Sequence, residues 1–290
     1  MGTLLTALSA CKTVRVFVAE TKDIVQKLRD YHNASPVVTA ALGRLLTAAS
    51  IIGTFAKGEK DIVTLQIHGD GPVKTLVATA DAKGNVKGYA GEYLIDLPLK
   101  SNGKLDVGGA VGQGTLTVVR DDGAGEMPYV GKVPLVSGEI AEDITSYFAV
   151  SEQIPTVCAL GVLIDTDLSV RSAGGVIIQL MPGASEQTID TIEQNIAALS
   201  NVSSLFIDHS PEQIAEKALK NIGISMHYSR TVAYKCDCSE EKCERMLSSL
   251  SARDLRRLID EDHKADIVCN FCSSIYHFDE KQLLAILQKK

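Results

Sequence analysis

Apolar and polar positions change rhythm several times along the chain, and each change marks an element. An apolar run from Leu4 predicts a short strand with a turn at Cys11–Thr13, and Val14-Arg-Val-Phe-Val-Ala, alternating weakly, predicts a second strand. From Glu20 to His32 the spacing of Ile24, Val25 and Leu28 is helical. The most apolar segment, Val37 to Phe55, opens with Ser35 as N-cap and Pro36 at the first helical position. Its length is marginal for a membrane span and Arg44 near its middle would be costly in hydrocarbon, so a buried core helix is expected. Between Asp61 and Val119 the pattern shortens to β-rich runs, Ile62–Ile67, Thr75–Thr79 and Thr115–Val119, separated by Gly, Pro, Asp and Asn. Those turn residues predict hairpins and an antiparallel sheet.

Farther along, Ile140–Val150 reads as a helix with Ile144, Tyr147 and Phe148 on one face. The apolar runs Val157–Ile164 and Val176–Met181 read as strands, and Pro182-Gly183 closes this core. Two helices follow. Ser185 precedes a stripe of Ile189, Ile192, Ile196 and Leu199, and Ser210-Pro211-Glu212-Gln213 forms a capping box ahead of Ile214, Ala218 and Leu219. Each is too short to be stable alone in water and must rest its apolar face on something else. In the last segment Cys243, Met246, Leu247 and Leu250 mark one helix. Ser251, with Asp254 three positions on, caps another that carries Leu255, Leu258 and Ile259. Ile275-Tyr-His-Phe predicts a strand and Leu283–Leu287 a closing helix.

Composition narrows the function more than the fold. At 290 residues and 31.0 kDa, with 45% hydrophobic and 22% charged residues, the chain has the make-up of a soluble globular protein with a main domain and a smaller one. A net charge of −7 argues against nucleic acid or an anionic membrane surface as partner. Seven cysteines without a secretory signal point to a reducing compartment, and the cytoplasm is the expected location. Leu8-Ser9-Ala10-Cys11 imitates a lipoprotein cleavage site, but no Lys or Arg precedes it and the apolar run is too short. Cys11 and Cys158 are expected to be small, inert hydrophobes. Gly108–Gly114 is glycine-rich, yet no Lys-Ser/Thr follows and the next element is a strand, so a phosphate cradle is not expected. No nucleophile elbow or catalytic set is visible, and an enzyme is not expected.

The chemistry concentrates in Cys236-Asp-Cys238 and Cys269-Asn-Phe-Cys272. Two close pairs separated by a helical insert can converge four thiolates on one tetrahedral ion, and Zn(II) suits four sulfurs. Cys-X-Cys is uncommon at structural zinc sites but places two sulfurs where oxidation can join them. Metal binding when reduced and disulfide formation when oxidised both remain open on the residues alone. Cys243 falls on the apolar stripe of its helix and is expected in the core; His263 and His277 are expected to be bystanders, since four cysteines fill a tetrahedral shell. A zinc-ribbon adaptor or nucleic-acid-binding protein with purely structural zinc is the competing reading. Against it stand the Cys-X-Cys spacing and the balance of residues 236–290, nine Lys/Arg against eleven Asp/Glu (9 − 11 = −2).

The two cysteine pairs, with Ala40-Ala41-Leu42-Gly43-Arg44, Ser151-Glu152-Gln153-Ile154-Pro155 and Ala173-Gly174-Gly175-Val176-Ile177-Ile178-Gln179-Leu180-Met181-Pro182-Gly183, resemble the redox-regulated 33-kDa heat-shock chaperone family over nearly the whole chain. The resemblance implies an α+β protein: an N-terminal core of antiparallel β-sheet packed with helices (1–183), a helical linker (184–235) and a small C-terminal α/β zinc-binding domain (236–290). It further implies an ATP-independent holdase, inactive while Cys236, Cys238, Cys269 and Cys272 hold one Zn(II) per chain. Oxidation in such a family pairs neighbours, here Cys236–Cys238 and Cys269–Cys272. Release of a segment such as Ser185–Asn221, homodimerisation and binding of unfolding client proteins would then follow.

Overall fold

In the computed structural model, which describes residues 1–125, 127–197, 199 and 201–289, the chain divides into two units, Met1–Lys235 and Cys236–Lys290. The larger unit opens with β1 (Gly2–Ser9), β2 (Val14–Glu20), α1 (Lys22–His32) and α2 (Pro36–Gly53). Next come β3 (Ile62–Gly69), β4 (Thr75–Asp81), β5 (Val86–Ala90), α3 (Val107–Val111), β6 (Gly114–Asp121) and β7 (Tyr129–Pro134). After α4 (Ala141–Tyr147) and a π-helical turn (Phe148–Glu152) come β8 (Thr156–Ile164), β9 (Val170–Leu180), α5 (Glu186–Ala197), α6 (Val202–Asp208), α7 (Pro211–Ala218) and β10 (Ile224–Val232). The strands form two antiparallel sheets, ordered β10-β1-β2-β9-β8 and β5-β4-β3-β6-β7.

Helix α2 packs against both sheets, which is why its sequence is apolar on nearly every side. It is the one helix among the described residues long and apolar enough to cross a membrane, and it is buried within this unit. Arg44, the obstacle to a membrane reading, pairs with Glu139 at 2.7 Å. Ser35 precedes the helix as expected, but its side chain caps nothing in α2; its Oγ accepts from the Ile95 amide at 3.3 Å instead.

The sheet β10-β1-β2-β9-β8 is covered on both faces. Along β2, Phe17 and Ala19 turn towards α2, while Val14, Val16 and Val18 join Leu5, Ala7, Val176 and Ile178 in a second core. Ile192, Leu199, Ile214, Ala218 and Leu219 from α5, α7 and their flanks cover that second core. Burial on both faces explains why alternation in β2 is weak: a strand covered twice reads as an apolar run. The stretch 184–235 is helical only as far as Ala218. Ile224–Val232 then adds as an edge strand to β1, with Thr6 opposite Tyr228.

The smaller unit contains α8 (Glu240–Ser249), α9 (Ala252–Arg257) with a π-helical turn (Leu258–Asp262), a hairpin of β11 (Lys264–Val268) and β12 (Ile275–Asp279), and α10 (Glu280–Gln288). Its core is Cys243, Leu247, Leu255, Ile259, Phe278, Leu283 and Ile286. Met246, expected on the buried stripe of α8, is 51% exposed, because the helix presents Cys243 and Leu247 inward and Met246 lies off that line.

Candidate metal centre

Two local structures bring the cysteine pairs together. Cys236 and Cys238 lie just before α8, whose start is fixed by Ser239; its Oγ accepts from the Lys242 amide at 3.3 Å. Cys269 and Cys272 lie in the connection between β11 and β12. There the Ser273 amide donates to the Cys269 carbonyl and the Cys269 amide to the Ser274 carbonyl, both at 2.9 Å, and Ser273 takes a left-handed φ of 57°. The hairpin, in register with Val268 opposite Ile275, sets this knuckle rigidly beside the first pair.

The four Sγ atoms all lie within 4.8 Å of one another. Cys236 and Cys269 approach to 3.7 Å, Cys238 and Cys272 to 3.4 Å. A tetrahedral ion with metal–sulfur bonds of about 2.3 Å requires sulfurs about 3.8 Å apart, so the cluster has the size of a four-cysteine metal site. None of the seven cysteines is bonded to another. The donor set of four sulfurs without a carboxylate fits a borderline or soft cation and does not fit magnesium or calcium.

Around the sulfurs, the Tyr276 hydroxyl donates to Cys238 Sγ at 3.1 Å, and the Ser274 hydroxyl lies 3.2 Å from Cys272 Sγ. Burial pushes the thiols of Cys236 and Cys269 up. Burial opposes ionisation of Cys272 too, but the Ser274 hydroxyl and amide and the neighbouring sulfurs bring it down to about 7. Tyr276 is pushed up because its proton is engaged by Cys238. Of these three, Cys272 is thus the preferred seat of negative charge, while Cys236 and Cys269 ionise less readily.

All four cysteines expected as ligands converge. Cys243 lies in the apolar core of the unit, as its helical spacing predicts. His277 instead binds Asp266, Nδ1 to Oδ1 at 2.7 Å, and His263 lies 3.5 Å from Glu280; neither belongs to the sulfur group. Tyr276 and Ser274 were not singled out by sequence reasoning. Their only signal is position, two and four residues beyond Cys272, and nothing in their type distinguishes them from other hairpin residues. Cys158 is buried as expected, but Cys11 is exposed, since its turn projects beyond the sheet instead of folding back on it.

The family model for Hsp33 protein matches residues 2–279 of this chain. A 33 kDa chaperonin of Agathobacter rectalis is 46% identical over 279 residues, covering 96% of each chain. One from Acetivibrio thermocellus is 46% identical over 277 residues, covering 95% of this chain and 93% of its own. The crystal structure of the 33 kDa chaperonin, heat shock protein 33 homolog, from Thermotoga maritima superimposes with a TM-score of 0.92 at 36% identity, covering 99% of this chain and 98% of that one.

Proposed function

This chain belongs to the Hsp33 protein family, and on that premise we propose that it is a redox-regulated, ATP-independent holdase chaperone whose sensor is the four-sulfur cluster. The observation that carries the reading is the convergence of Cys236, Cys238, Cys269 and Cys272 within 4.8 Å in a unit whose core is only seven side chains. A bound Zn(II), one per chain, would hold these cysteines as thiolates and supply much of the unit's folding free energy, on the order of 10–16 kcal/mol in small zinc domains.

Thiolates are the form that oxidants attack. Each neighbouring pair, Cys236 with Cys238 and Cys269 with Cys272, gives up two electrons to one peroxide. An S–S bond forms, the O–O bond breaks and, with two protons taken from solvent, two waters leave. Paired sulfurs no longer offer four anionic ligands. The small unit then lacks the interaction that offsets its thin core, and it unfolds.

Release of residues 185–221 is the step that would create a client surface. Their helices cover Leu5, Ala7, Val16, Val18, Val176 and Ile178, a continuous apolar sheet face of the kind unfolding proteins adhere to. Lifting them would expose that face to clients and to a second copy of the chain, giving the active homodimer. The protein acts in the cytoplasm, on protein clients and not on nucleic acid or membranes. The test is light scattering from a thermally unfolding client. Peroxide-treated, metal-free protein suppresses aggregation at stoichiometric ratios, whereas the reduced zinc form does not; equal performance of the two forms would refute the proposal.

A further inference from the structure

Strand β10 is held differently from every other strand in its sheet. Of Ile224–Val232, Val232 alone is buried; Ser225, Met226, His227, Tyr228, Ser229 and Thr231 are exposed. Its partner β1 is mostly buried, with Leu4, Leu5 and Ala7 at 0–1% exposure. The two nonetheless run antiparallel in register from Gly2 opposite Val232 to Leu8 opposite Met226. Apart from its two ends, where Ile224 and Val232 pack on the two cores and Ser225 Oγ donates to the Leu8 carbonyl at 3.1 Å, the pairing is carried by main-chain hydrogen bonds, and a ladder of that kind does not read side chains. A fixed point lies just beyond it. Tyr234 is buried, its hydroxyl donates to the Gly88 carbonyl at 2.9 Å and accepts from the Gly88 amide at 3.2 Å, and the Lys235 amide donates to the Val86 carbonyl at 2.8 Å.

We infer that β10 is a displaceable strand occupying a backbone docking edge on β1, and that in the activated chain this edge takes an extended apolar segment of an unfolded client as a new strand. The inference rests on the proposed holdase function and adds to it a second mode of contact beside the apolar sheet face. Two features select this occupant. The edge is sequence-blind, matching clients that share only an extended backbone. The residues of β1 that face α5–α7, Leu5 and Ala7, continue the apolar surface, so a client strand can lay alternate apolar side chains over it. Tyr234 is the pin that keeps β10 seated while the chain is at rest.

The experiment uses the full-length chain and reduced, carboxymethylated α-lactalbumin as a permanently unfolded client. Thr6→Cys with Tyr228→Cys places two thiols at directly opposed positions, so that oxidation staples β10 to β1; mass spectrometry verifies the bridge. The stapled chain still releases metal on peroxide treatment but binds the client at least about tenfold more weakly than oxidised wild type. Thr6→Ser with Tyr228→Ser, which cannot be stapled, binds like wild type. Amide exchange supplies the second readout: in oxidised wild type the amides of β1 that bond β10 lose protection and regain it when client is added, those that bond β2 stay protected throughout, and residues 224–232 stay unprotected. In the reduced form, Tyr234→Phe raises exchange in β10 without metal loss. Full client binding by the stapled chain, or protection of β1 restored by dimerisation before any client is added, overturns this inference alone. Failure of oxidised wild type to bind client at all overturns it together with the holdase function.

Discussion

Cys11, at a turn after one apolar run, and Cys158, inside another, are both expected from the sequence to be inert, yet they behave as opposites. Cys158 is buried in β8, and burial pushes its thiol up, so it remains protonated and inaccessible. Cys11 sits at an exposed turn; partial burial works against ionisation, but contacts with the hydroxyls of Ser9 at 3.2 Å and Thr13 at 3.1 Å bring it down to about 7. Thiolate, the nucleophile, accumulates as pH rises. Alkylation of Cys11 by iodoacetamide should therefore climb through a midpoint near pH 7, with Cys158 unmodified in the folded protein; peptide mass spectrometry resolves the two. A midpoint above about pH 8.5 at Cys11 would show that the hydroxyls do not stabilise the thiolate. Asp143 is a residue whose importance no spacing reveals. Fully buried, its carboxylate accepts from the amides of Val136, Ser137, Gly138 and Ile140, and so holds Ile140 at a φ of 71° that a β-branched residue rarely adopts. Asp143→Ala leaves those donors without a partner and should cost about 3 kcal/mol in denaturant unfolding of the larger unit. A loss under about 1 kcal/mol would mean that water replaces the carboxylate.

At the scale of elements, the covering helices depend on close approach as much as on apolar area. A Cβ at Gly161 in β8 would lie 2.4 Å from the Ser203 amide nitrogen and 2.7 Å from its Cα, backbone atoms of α6 that cannot swing aside. Asn195 of α5, itself buried, donates to the carbonyls of Ala218 at 3.0 Å and Lys220 at 2.8 Å, satisfying the end of α7 and tying the two helices together. Gly161→Ala should lift α6 and expose the apolar sheet face while the four sulfurs are untouched. Binding of an apolar dye to the reduced, metal-loaded chain should rise severalfold, with metal content unchanged; unaltered dye binding would place the docking elsewhere. The starts and stripes of α5, α7 and α9 were legible because each helix is preceded by Ser and marks its buried side with regular spacing, and α2 was legible from its unbroken apolar run after Ser35-Pro36. By contrast, β10 was not legible: its exposed side chains carry no alternation, and its strand state comes from a partner more than 200 residues away. The same holds for α6, short and serine-rich, and for β11, whose charged residues read as loop until Val268 pairs with Ile275.

For the whole molecule, the contrast between the two units decides what metal removal does. Around α2 the larger unit has one extensive core and, beneath α5–α7, a second; none of the four clustered cysteines contributes to either. The smaller unit has an apolar core of seven side chains, one of them Cys243, between three short helices and a two-stranded hairpin. A hairpin of that kind is marginal in water without support, and so are helices of this length. A zinc ion held there, contributing on the order of 10–16 kcal/mol, would match or exceed the whole net stability of about 5–15 kcal/mol that a typical domain possesses, and the smaller unit would not absorb its loss. Chelation under reducing conditions should thus abolish amide protection across α8 and β11–β12 while α2 retains its full protection, and re-addition of zinc should restore the first without changing the second. Because ligands must be deprotonated to bind, the same loss should appear without chelator as pH is lowered, protons competing with the ion for the thiolates. Retention of α8 protection in chelator would mean that the seven-residue core stands unaided. In that case the cysteine cluster could still bind metal, but its oxidation would have no means of unfolding the unit, and a redox signal would stop at the sulfurs.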